Sequence, residues 1–402
     1  MKVVVAHNRY RSVLPSGENV IVDQDIAELR AAGAQVLPFL RDSDDIPAMS
    51  TLDKALLPAS PLYNGRAQRE LAALLRRTRP DVLHLHNPYP LLSPWVVRTA
   101  HRHGVPVVQT VHNYRQVCSP GLYFRDGGIC TDCRGRALGW PGVRHACYRD
   151  SRAQSAVMAV ALAAHRPTWR SVDRYLALTS GIAAHLGDYG IPADRIAVKP
   201  NSIPDPGPPA PAGDGFLFYG RFAPEKGLGL LLDAWHRHPD GALGPLRLAG
   251  DGPQRELAER AAASRADVSY LGPLDRDGVR AALAASSVVL AVPTWHDVLP
   301  TVVIEALAAG RPVLGTALGG VPYLVGVGAA VAPGAASPVT ALTAGAAGWV
   351  VPPRADDLAA ALPAVRAAAP GLAGAARDRY LATFHPDVVT AQLLAVYAAV
   401  AR

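Results

Sequence analysis

Residues Tyr219–Gly227 read YGRFAPEKG. The segment lies between a predicted apolar strand, Phe216–Tyr219, and a predicted apolar helix, Leu228–His238, which is the order of elements in a βαβ unit. A glycine at such a turn lets a ligand approach the backbone, and Arg221 and Lys226 can converge on one diphosphate at the start of the helix. The segment therefore predicts an anion site at the carboxyl edge of a parallel sheet.

Short apolar strands alternate with helices on both sides of this segment. The further strands are predicted at Lys2–Ala6, Gln35–Phe39, Val82–His86, Val105–Val111, Leu246–Ala249, Val268–Leu271, Ser287–Val292 and Pro312–Gly315. Alternation of this kind predicts parallel sheets covered by helices on both faces. The fold class is therefore α/β, with two doubly wound, Rossmann-like domains facing a central cleft.

The domain boundary is predicted from proline content. Residues Pro204–Asp214 read PDPGPPAPAGD, which is typical of a stiff linker. It divides an N-terminal domain, residues 1–203, from a C-terminal domain, residues 215–384. Residues 385–402 are predicted to form a helix that crosses back to the first domain.

Composition limits the class of protein. The chain has 402 residues, of which half are hydrophobic and 18% charged, so it is not disordered. Its net charge of +7 is carried by the first half of the chain. Such a balance favours phosphate ligands or an anionic membrane surface, and without interleaved aromatic residues it does not favour nucleic acid. Val3–Ala6 is too short for the core of a signal peptide, and the sequence predicts a cytoplasmic protein without a transmembrane helix.

Two more segments carry candidate site residues. Gly250–Pro253, GDGP, is a turn between a predicted strand and a predicted helix. The helix that begins near Pro300 and ends near Gly310 is apolar except for Glu305. A carboxylate in such a helix needs a partner, which could be a sugar hydroxyl or a structural ion pair.

Four segments resemble, in their order along the chain, the donor domain of a family 4 glycosyltransferase with the GT-B fold. They are GRFAPEKG, AGDGP, YLGPL and the run from Asp297 to Val313. In the first half of the chain, HNRY, PSGENV, DVLHLHN and GVPVVQTVHNYR resemble the same family. The resemblance implies a retaining transferase that moves a sugar from a nucleoside-diphosphate sugar to an acceptor hydroxyl by front-face displacement. It implies no cofactor for catalysis. A nucleotide-sugar epimerase and a non-catalytic nucleotide-sugar-binding protein remain alternatives.

The resemblance also implies roles for particular residues. Arg221 and Lys226 would bind the donor diphosphate, Glu305 would bind the nucleotide ribose, and Asp297 and His112 would contact the donor sugar. The other donor-binding positions would be Gly17, Gly220, Gly252, Tyr270, Gly272, Leu299, Thr301 and Val302.

The sequence departs from the family pattern at several places. Asp297 stands where a glutamate is usual and is one methylene shorter, which puts its sugar contact in doubt but keeps its charge. Ser16-Gly17 replaces a pair of glycines, and Tyr323 replaces an acidic residue. Residues Gly326–Ala346 form an Ala/Gly/Pro-rich insertion that predicts a flexible loop near the cleft.

Four cysteines, Cys118, Cys130, Cys133 and Cys147, lie within thirty residues, and two of them form a C-x2-C pair. They could bind structural zinc, remain reduced thiols or form disulfides, and the sequence leaves these alternatives open.

Other polar patterns favour structural interpretations. The D-x-D strings at Asp23–Asp25 and Asp275–Asp277 are expected on helix surfaces or helix starts. His84 and His86, two residues apart on a strand, are expected at a strand end near the acceptor side of the cleft.

A predicted helix near residues 66–77 carries an arginine-rich face. Leu71, Leu74 and Leu75 lie between its arginines, which are Arg66, Arg69, Arg76, Arg77 and Arg79. Such a helix could lie on an anionic bilayer or could pack on the core with a solvated basic face. The first interpretation fits a lipid-linked acceptor and the second a soluble one.

Overall fold

Val3, Val4 and Val5 are fully buried, as expected for a strand in the middle of a parallel sheet that is covered on both faces. The structure is a computed structural model, and it describes residues 1–12, 17–335 and 339–401. Ser16, which with Gly17 replaces a pair of glycines in the family pattern, lies outside the described residues. The elements of the first domain are β1 (Lys2–Arg9), α1 (Gly17–Ala31), β2 (Gln35–Asp42), α2 (Thr51–Leu56), α3 (Gly65–Thr78), β3 (Val82–Leu85), α4 (Trp95–Arg102), β4 (Val107–Val111), β5 (Phe124–Arg125), β6 (Gly128–Ile129), α5 (Trp140–Arg144), α6 (Arg152–Ala164), α7 (Arg166–Arg170), β7 (Arg174–Ala177), α8 (Ser180–Asp188) and β8 (Ile196–Val198).

The first sheet runs in the order β2-β1-β3-β4-β7-β8, and all its neighbouring strands are parallel. The strand order reverses between β1 and β3. In open parallel sheets, ligands bind beyond the carboxyl ends of the strands at this reversal. The small hairpin β5-β6 stands apart from the sheet, within the long connection between β4 and β7.

The second domain repeats the design. Its elements are β9 (Phe216–Arg221), α9 (Leu228–Trp235), β10 (Leu246–Asp251), α10 (Arg255–Ser264), β11 (Val268–Gly272), α11 (Arg276–Ala284), β12 (Val288–Ala291), α12 (Thr301–Ala308), β13 (Val313–Thr316), α13 (Val321–Val325), β14 (Thr343–Gly345), β15 (Gly348–Val351), α14 (Ala355–Ala368), α15 (Ala373–Thr383) and α16 (Pro386–Val400).

The second sheet runs in the order β11-β10-β9-β12-β13-β15-β14, and only β14 is antiparallel to its neighbour. The six parallel strands follow the order of dinucleotide-binding folds, with the reversal between β9 and β12. The structure confirms the predicted fold class, two doubly wound α/β domains that face one cleft.

The proline-rich linker is anchored by Arg311, a side chain buried among backbone carbonyls. Its guanidinium donates to the carbonyls of Ala210 and Pro211, both at 3.0 Å, and to that of Leu283 at 2.8 Å. Burial lowers the pKa of Arg311 from its usual value, but several carbonyl acceptors compensate the lost hydration. The linker is therefore fixed to the second domain at this point.

The last helix, α16, packs on the first domain. Leu393 and Tyr397 are buried with Val3, Val5 and Val22 in one apolar cluster. The Tyr397 hydroxyl lies 2.6 Å from Nδ1 of the buried His84. The chain thus returns to its first domain after completing the second.

The helical stretch Ala355–Val400 is long and apolar enough to cross a membrane by length and composition alone. It consists of α14, α15 and α16, and the longest of these has 15 residues, fewer than the roughly 20 that a spanning helix needs. Their buried side chains, such as Leu362, Tyr380 and Tyr397, pack within the two domains.

We expect Tyr397→Phe to lower the free energy of unfolding by about 1–3 kcal/mol, because it leaves a buried imidazole nitrogen without its partner. Urea unfolding followed by circular dichroism measures the change. Tyr63→Phe is the control, because Tyr63 is 52% exposed, and it should stay within about 0.5 kcal/mol of wild type. Equal stabilities of the Tyr397 variant and wild type would show that this contact does not hold α16.

Candidate active site

A cavity of about 560 Å³ opens between the two domains, at the carboxyl ends of both sheets. Nine of the predicted site residues line it: Gly17, His112, Gly220, Arg221, Lys226, Asp297, Leu299, Thr301 and Val302. Four others, Gly252, Tyr270, Gly272 and Glu305, lie outside its lining. The cleft thus brings together residues that are up to 285 positions apart in the chain, from Gly17 to Val302.

The reversal between β9 and β12 sets the geometry of the second domain's wall. Arg221 ends β9, and Gly227 follows with a φ of +84°. A Cβ at Gly227 would stand 1.9 Å from the carbonyl oxygen of Val292, just beyond β12. Only glycine therefore lets the segment after β9 lie against the segment after β12.

Two ion pairs order the basic side chains at this wall. Lys226 Nζ donates to Asp297 Oδ2 at 2.6 Å, and Asp297 is nearly buried. Arg221 donates to Glu225 Oε1 at 2.7 Å, but its own side chain is 57% exposed. Lys226 is thus held by a carboxylate from the loop after β12, whereas Arg221 faces the open cleft.

Asp297 is positioned by a close backbone contact. The Gly320 amide donates to the Asp297 carbonyl at 2.7 Å, and a Cβ at Gly319 would clash with the Asp297 backbone at 2.1 Å. The Gly319-Gly320 pair therefore lets the loop after β13 support the loop that carries Asp297.

The first turn of α12 points into the cleft, since Leu299, Pro300, Thr301 and Val302 all line the cavity. The first amides of a helix have no partner within the helix. Together with the helix dipole they form an anion-binding end next to Arg221 and Lys226.

Glu305 has a partner that the sequence did not identify. The Tyr219 hydroxyl donates to Glu305 Oε2 at 2.9 Å, and burial raises the pKa of this carboxyl. Glu305 lines a second cavity, of about 380 Å³, with linker residues including Pro204 and Pro206. Tyr270, the other predicted side chain outside the cleft lining, donates a hydrogen bond from its hydroxyl to the Gly250 carbonyl at 3.0 Å.

His112 is half-buried at the cleft and adjoins two buried histidines, His86 and His84. Its Nε2 lies 2.9 Å from His86 Nδ1, and the two rings stack. The His86 ring also stands 4.1 Å from that of His84, which lies against Tyr397 of α16. Burial lowers the pKa of His112 to about 3 and those of His84 and His86 well below 6.5, so all three are neutral at pH 7.

Three cleft residues were missed by the sequence analysis: Tyr10, Glu18 and Arg115. The Tyr10 hydroxyl donates to Glu18 Oε2 at 3.2 Å, and Arg115 Nη1 lies 3.3 Å from the same hydroxyl. Burial raises the pKa of Glu18 to about 7. Tyr10, Glu18 and Arg115 lie within the quoted motifs HNRY, PSGENV and GVPVVQTVHNYR, so their place in these motifs was the available signal.

The D-x-D strings have structural roles in the described residues. Asp23 pairs with Arg9, and Asp25 is buried 3.7 Å from Lys199 Nζ. Asp275 caps α11 by accepting from the Gly278 amide at 2.8 Å.

The arginine-rich helix is α3, and it packs on the core. Leu71 and Leu75 are buried in the core of the first domain, and Leu74 packs against it. The leucines are therefore unavailable for insertion into a bilayer, and the interpretation of α3 as an amphipathic membrane helix is wrong in this respect. Its arginines remain exposed.

The insertion at Gly326–Ala346 is described except for residues 336–338. Its described parts contact the body of the protein. The Val331 amide donates to the Gly319 carbonyl at 2.8 Å, and the Ala330 amide donates to Ser180 Oγ of the first domain at 2.9 Å. Thr343–Gly345 forms β14. These contacts replace the expected free loop with a bridge between the domains.

Comparison with known proteins identifies the class that this fold and cleft define. Residues 16–202 match the family described as "Glycosyl transferase 4-like domain", and residues 213–367 match "Glycosyl transferases group 1". The two matches cover most of the chain, which belongs to the family 4-type glycosyltransferases.

Two curated relatives share moderate identity. The chain is 32% identical over 285 residues to a 2-deoxystreptamine N-acetyl-D-glucosaminyltransferase of Streptomyces fradiae, a match that covers 63% of this chain and 59% of the relative. It is 27% identical over 325 residues to a phosphatidyl-myo-inositol mannosyltransferase of Mycobacterium leprae, covering 77% of each.

Solved structures support the fold. HepE of Anabaena in complex with UDP has a TM-score of 0.64 at 17% identity and covers 99% of this chain and 100% of its own. Sucrose-phosphate synthase of Thermosynechococcus elongatus has a TM-score of 0.69 at 19% identity, with coverages of 99% and 98%. These likenesses confirm the GT-B architecture.

We expect Glu18→Gln to gain stability relative to wild type as the pH rises. The pKa of Glu18 is about 7 in the folded state and 4.5 in the unfolded chain, so the wild type loses stability between about pH 4.5 and about pH 7, where the unfolded chain ionises and the folded state does not. Between about pH 5 and about pH 8 the variant should gain about 2 kcal/mol in relative free energy of unfolding.

Urea unfolding at the two pH values measures this difference. The buried histidines are common to both proteins, and their titration cancels in the comparison. Asp44→Asn is the control: the pKa of Asp44 lies below its usual 3.8, so this carboxyl is ionised in both states at either pH, and the stability difference of this variant should not change between the two pH values. A pH-independent difference between Glu18→Gln and wild type would rule out a raised pKa.

Proposed function

We propose that this protein is a retaining glycosyltransferase that moves a sugar from a nucleoside-diphosphate sugar to an acceptor hydroxyl. The observation that carries the proposal is the cleft itself. Arg221, Lys226 and the first turn of α12 form a cationic wall on the second domain, and His112 faces it from the first.

The donor diphosphate would bind at the cationic wall. Arg221 is the more exposed of the two cations and can meet the phosphates first. Lys226 would shift part of its interaction from Asp297 to the phosphates, since the two groups are in contact and the cleft is open beside them. Two fixed cations and a helix N-terminus can balance the charge of the leaving diphosphate, so we propose that transfer needs no divalent metal ion.

The contacts of the cleft carboxylates and of His112 support a front-face displacement. Asp297 is engaged by Lys226, and Glu18 by Tyr10, so neither carboxylate is presented as a free nucleophile. His112 is neutral at pH 7 and uses Nε2 toward His86, which leaves Nδ1 for a hydrogen bond to the donor sugar. The acceptor oxygen would form its bond to the anomeric carbon as the bond to the diphosphate breaks, and the leaving phosphate would take the acceptor proton. Orientation and charge stabilisation then supply the rate.

The acceptor would bind on the wall of the first domain. Tyr10, Glu18 and Arg115 present hydroxyl, carboxyl and guanidinium groups to the cleft next to His112. Such groups fit an acceptor with several hydroxyl or amino groups. The names of the two relatives refer to 2-deoxystreptamine and phosphatidyl-myo-inositol, which agrees with a polyhydroxylated acceptor.

We expect Arg221→Ala and Lys226→Ala each to lower kcat/KM by about 30- to 1,000-fold, because each removes a charge that stabilises the leaving diphosphate. The donor is first found by thermal-shift screening of nucleotide sugars. At 100 times its Kd a true donor should stabilise the protein by about 2.7 kcal/mol. Arg260→Ala is the control, because Arg260 lies exposed on α10 and pairs only with Glu256 among the ion pairs of the described residues.

Each outcome of this assay distinguishes one of the alternatives. Both variants within threefold of wild type would contradict the diphosphate site. Donor binding without turnover on any acceptor would indicate a binding protein, and conversion of the donor sugar without an acceptor would indicate an epimerase. An inverted anomeric centre in the product, measured by NMR, would contradict retention.

We also propose a cytoplasmic location, with α3 touching anionic membrane surfaces through charge alone. The arginines of α3 are exposed while its leucines face the core, so binding would depend on salt and not on insertion. The acceptor would then be lipid-linked or lie at the membrane surface.

We expect the protein to co-sediment with liposomes that contain an anionic lipid at low salt and to be released at high salt. Each arginine near the surface contributes about 1 kcal/mol, so Arg76→Gln combined with Arg77→Gln should weaken binding strongly. Neutral liposomes and the Arg260→Gln variant are the controls. Absence of binding to anionic liposomes at low salt would remove the membrane proposal and leave a soluble acceptor.

A further inference from the structure

The four cysteines converge in space. Cys118 follows β4, Cys130 and Cys133 follow the hairpin β5-β6, and Cys147 follows α5. All four are free thiols, and all four line one small cavity of about 20 Å³. A cavity of this size holds one water-sized or ion-sized guest. All four cysteines of the chain therefore lie around this one cavity.

The thiols stand close enough to influence one another. Burial raises the pKa of Cys133 to about 11, and Cys118, Cys147 and Cys130 each raise it further. Within the described ranges, no group of three or more His, Cys, Asp or Glu side chains is already arranged to hold a metal ion. Binding an ion would therefore draw the four thiols together, to sulfur–sulfur separations of about 3.8 Å for a Zn–S bond near 2.3 Å.

Backbone amides point at the cysteine sulfurs. The Tyr123 amide donates to Cys118 Sγ at 3.4 Å. Burial raises the pKa of Cys118, and hydrogen bonds from the amides of Tyr123, Leu122 and Gly121 oppose this rise. Amide donors of this kind are among the outer contacts that orient and stabilise the ligands of metal sites.

A positive charge lies beside the cluster. Arg125, on the hairpin, interacts with the Cys130 and Cys147 thiols and also pairs with Asp126 and Asp132. Four thiolates around a divalent ion carry a net charge of −2, which a neighbouring guanidinium would partly neutralise. Such outer contacts are typical of metal–thiolate sites.

We propose that Cys118, Cys130, Cys133 and Cys147 bind one structural Zn²⁺ ion in a tetrahedral, all-thiolate site. Four soft ligands from a C-x2-C pair and two further loops fit zinc, and a cavity for one ion is too small for an iron–sulfur cluster. Four ligands leave no open position, so the ion would not take part in the transfer reaction.

The site would shape the wall of the cleft. Asn113, Arg115, Pro120 and Leu122 line the main cavity and belong to the connection that the cysteines would join. Tyr114 of this connection also donates its hydroxyl to the His296 carbonyl of the second domain at 3.1 Å. A zinc ion would hold this connection in place, whichever sugar and acceptor the protein uses, so the inference does not depend on the proposed function.

The test is metal analysis of the full-length protein, purified without a histidine tag and without chelator. We expect one zinc per chain by inductively coupled plasma mass spectrometry. X-ray absorption at the zinc edge should show four sulfur ligands at about 2.3 Å. Cys130→Ser and Cys133→Ser should each lose most of the zinc. Ser119→Ala, whose side chain borders the same cavity, should retain it.

A second measurement uses the unaltered chain, in case the cysteine variants fail to fold. Zinc should leave slowly with a strong chelator, and Co²⁺ added in its place should give the visible bands and thiolate charge-transfer band of a tetrahedral four-cysteine site. Substoichiometric zinc after growth in zinc-supplemented medium would overturn the proposal. So would zinc bound by nitrogen and oxygen alone, iron in its place, or two disulfides found by mass spectrometry of the protein under non-reducing conditions.

Discussion

The close approach of two chain segments beyond β9 and β12 is the constraint on which the rest of the cleft depends. Parallel strands at a reversal leave a crevice between connections that diverge to opposite faces of the sheet. Here the crevice is narrow because Gly227 has no Cβ to strike the Val292 carbonyl. Lys226 and Asp297 therefore meet, and the first turn of α12 opens beside them.

Burial then sets the chemistry of the other wall. His84 and His86 are buried and His112 is half-buried at the edge of the cleft, and desolvation keeps all three neutral, so they act through hydrogen bonds and ring contacts. Burial also raises the pKa of Glu18, to about 7. The cationic wall is different, because Arg221 is exposed and keeps its charge available for a ligand. The wall of the second domain can thus recognise anionic groups, while the wall of the first domain offers neutral imidazoles beside the Arg115 guanidinium.

The two walls are kept together by contacts far from the cleft. Arg311 fixes the linker to the second domain, and α16 returns to the first, where Tyr397 reaches His84. Because His84 lies against His86, which in turn bonds to His112, the last helix supports the histidine of the cleft through two buried rings. The bridge of the insertion to Ser180 adds a contact on the other side.

Local patterns in the chain were sufficient for the elements and for much of the site. The order of strands and helices, the linker and the basic pair Arg221 and Lys226 were predicted from apolar periodicity, proline content and a short motif, because these depend on neighbours in the chain. Asp297 was named only through the resemblance to family 4 glycosyltransferases. Contacts between distant residues could not be derived in this way. Four features required the tertiary structure. They are the hydrogen-bond partner of Glu305, the burial of Leu71 and Leu75, the grouping of Tyr10, Glu18 and Arg115 in the cleft, and the convergence of four cysteines on one cavity. Each of them depends on which surfaces the two sheets bring together, and no local propensity encodes that.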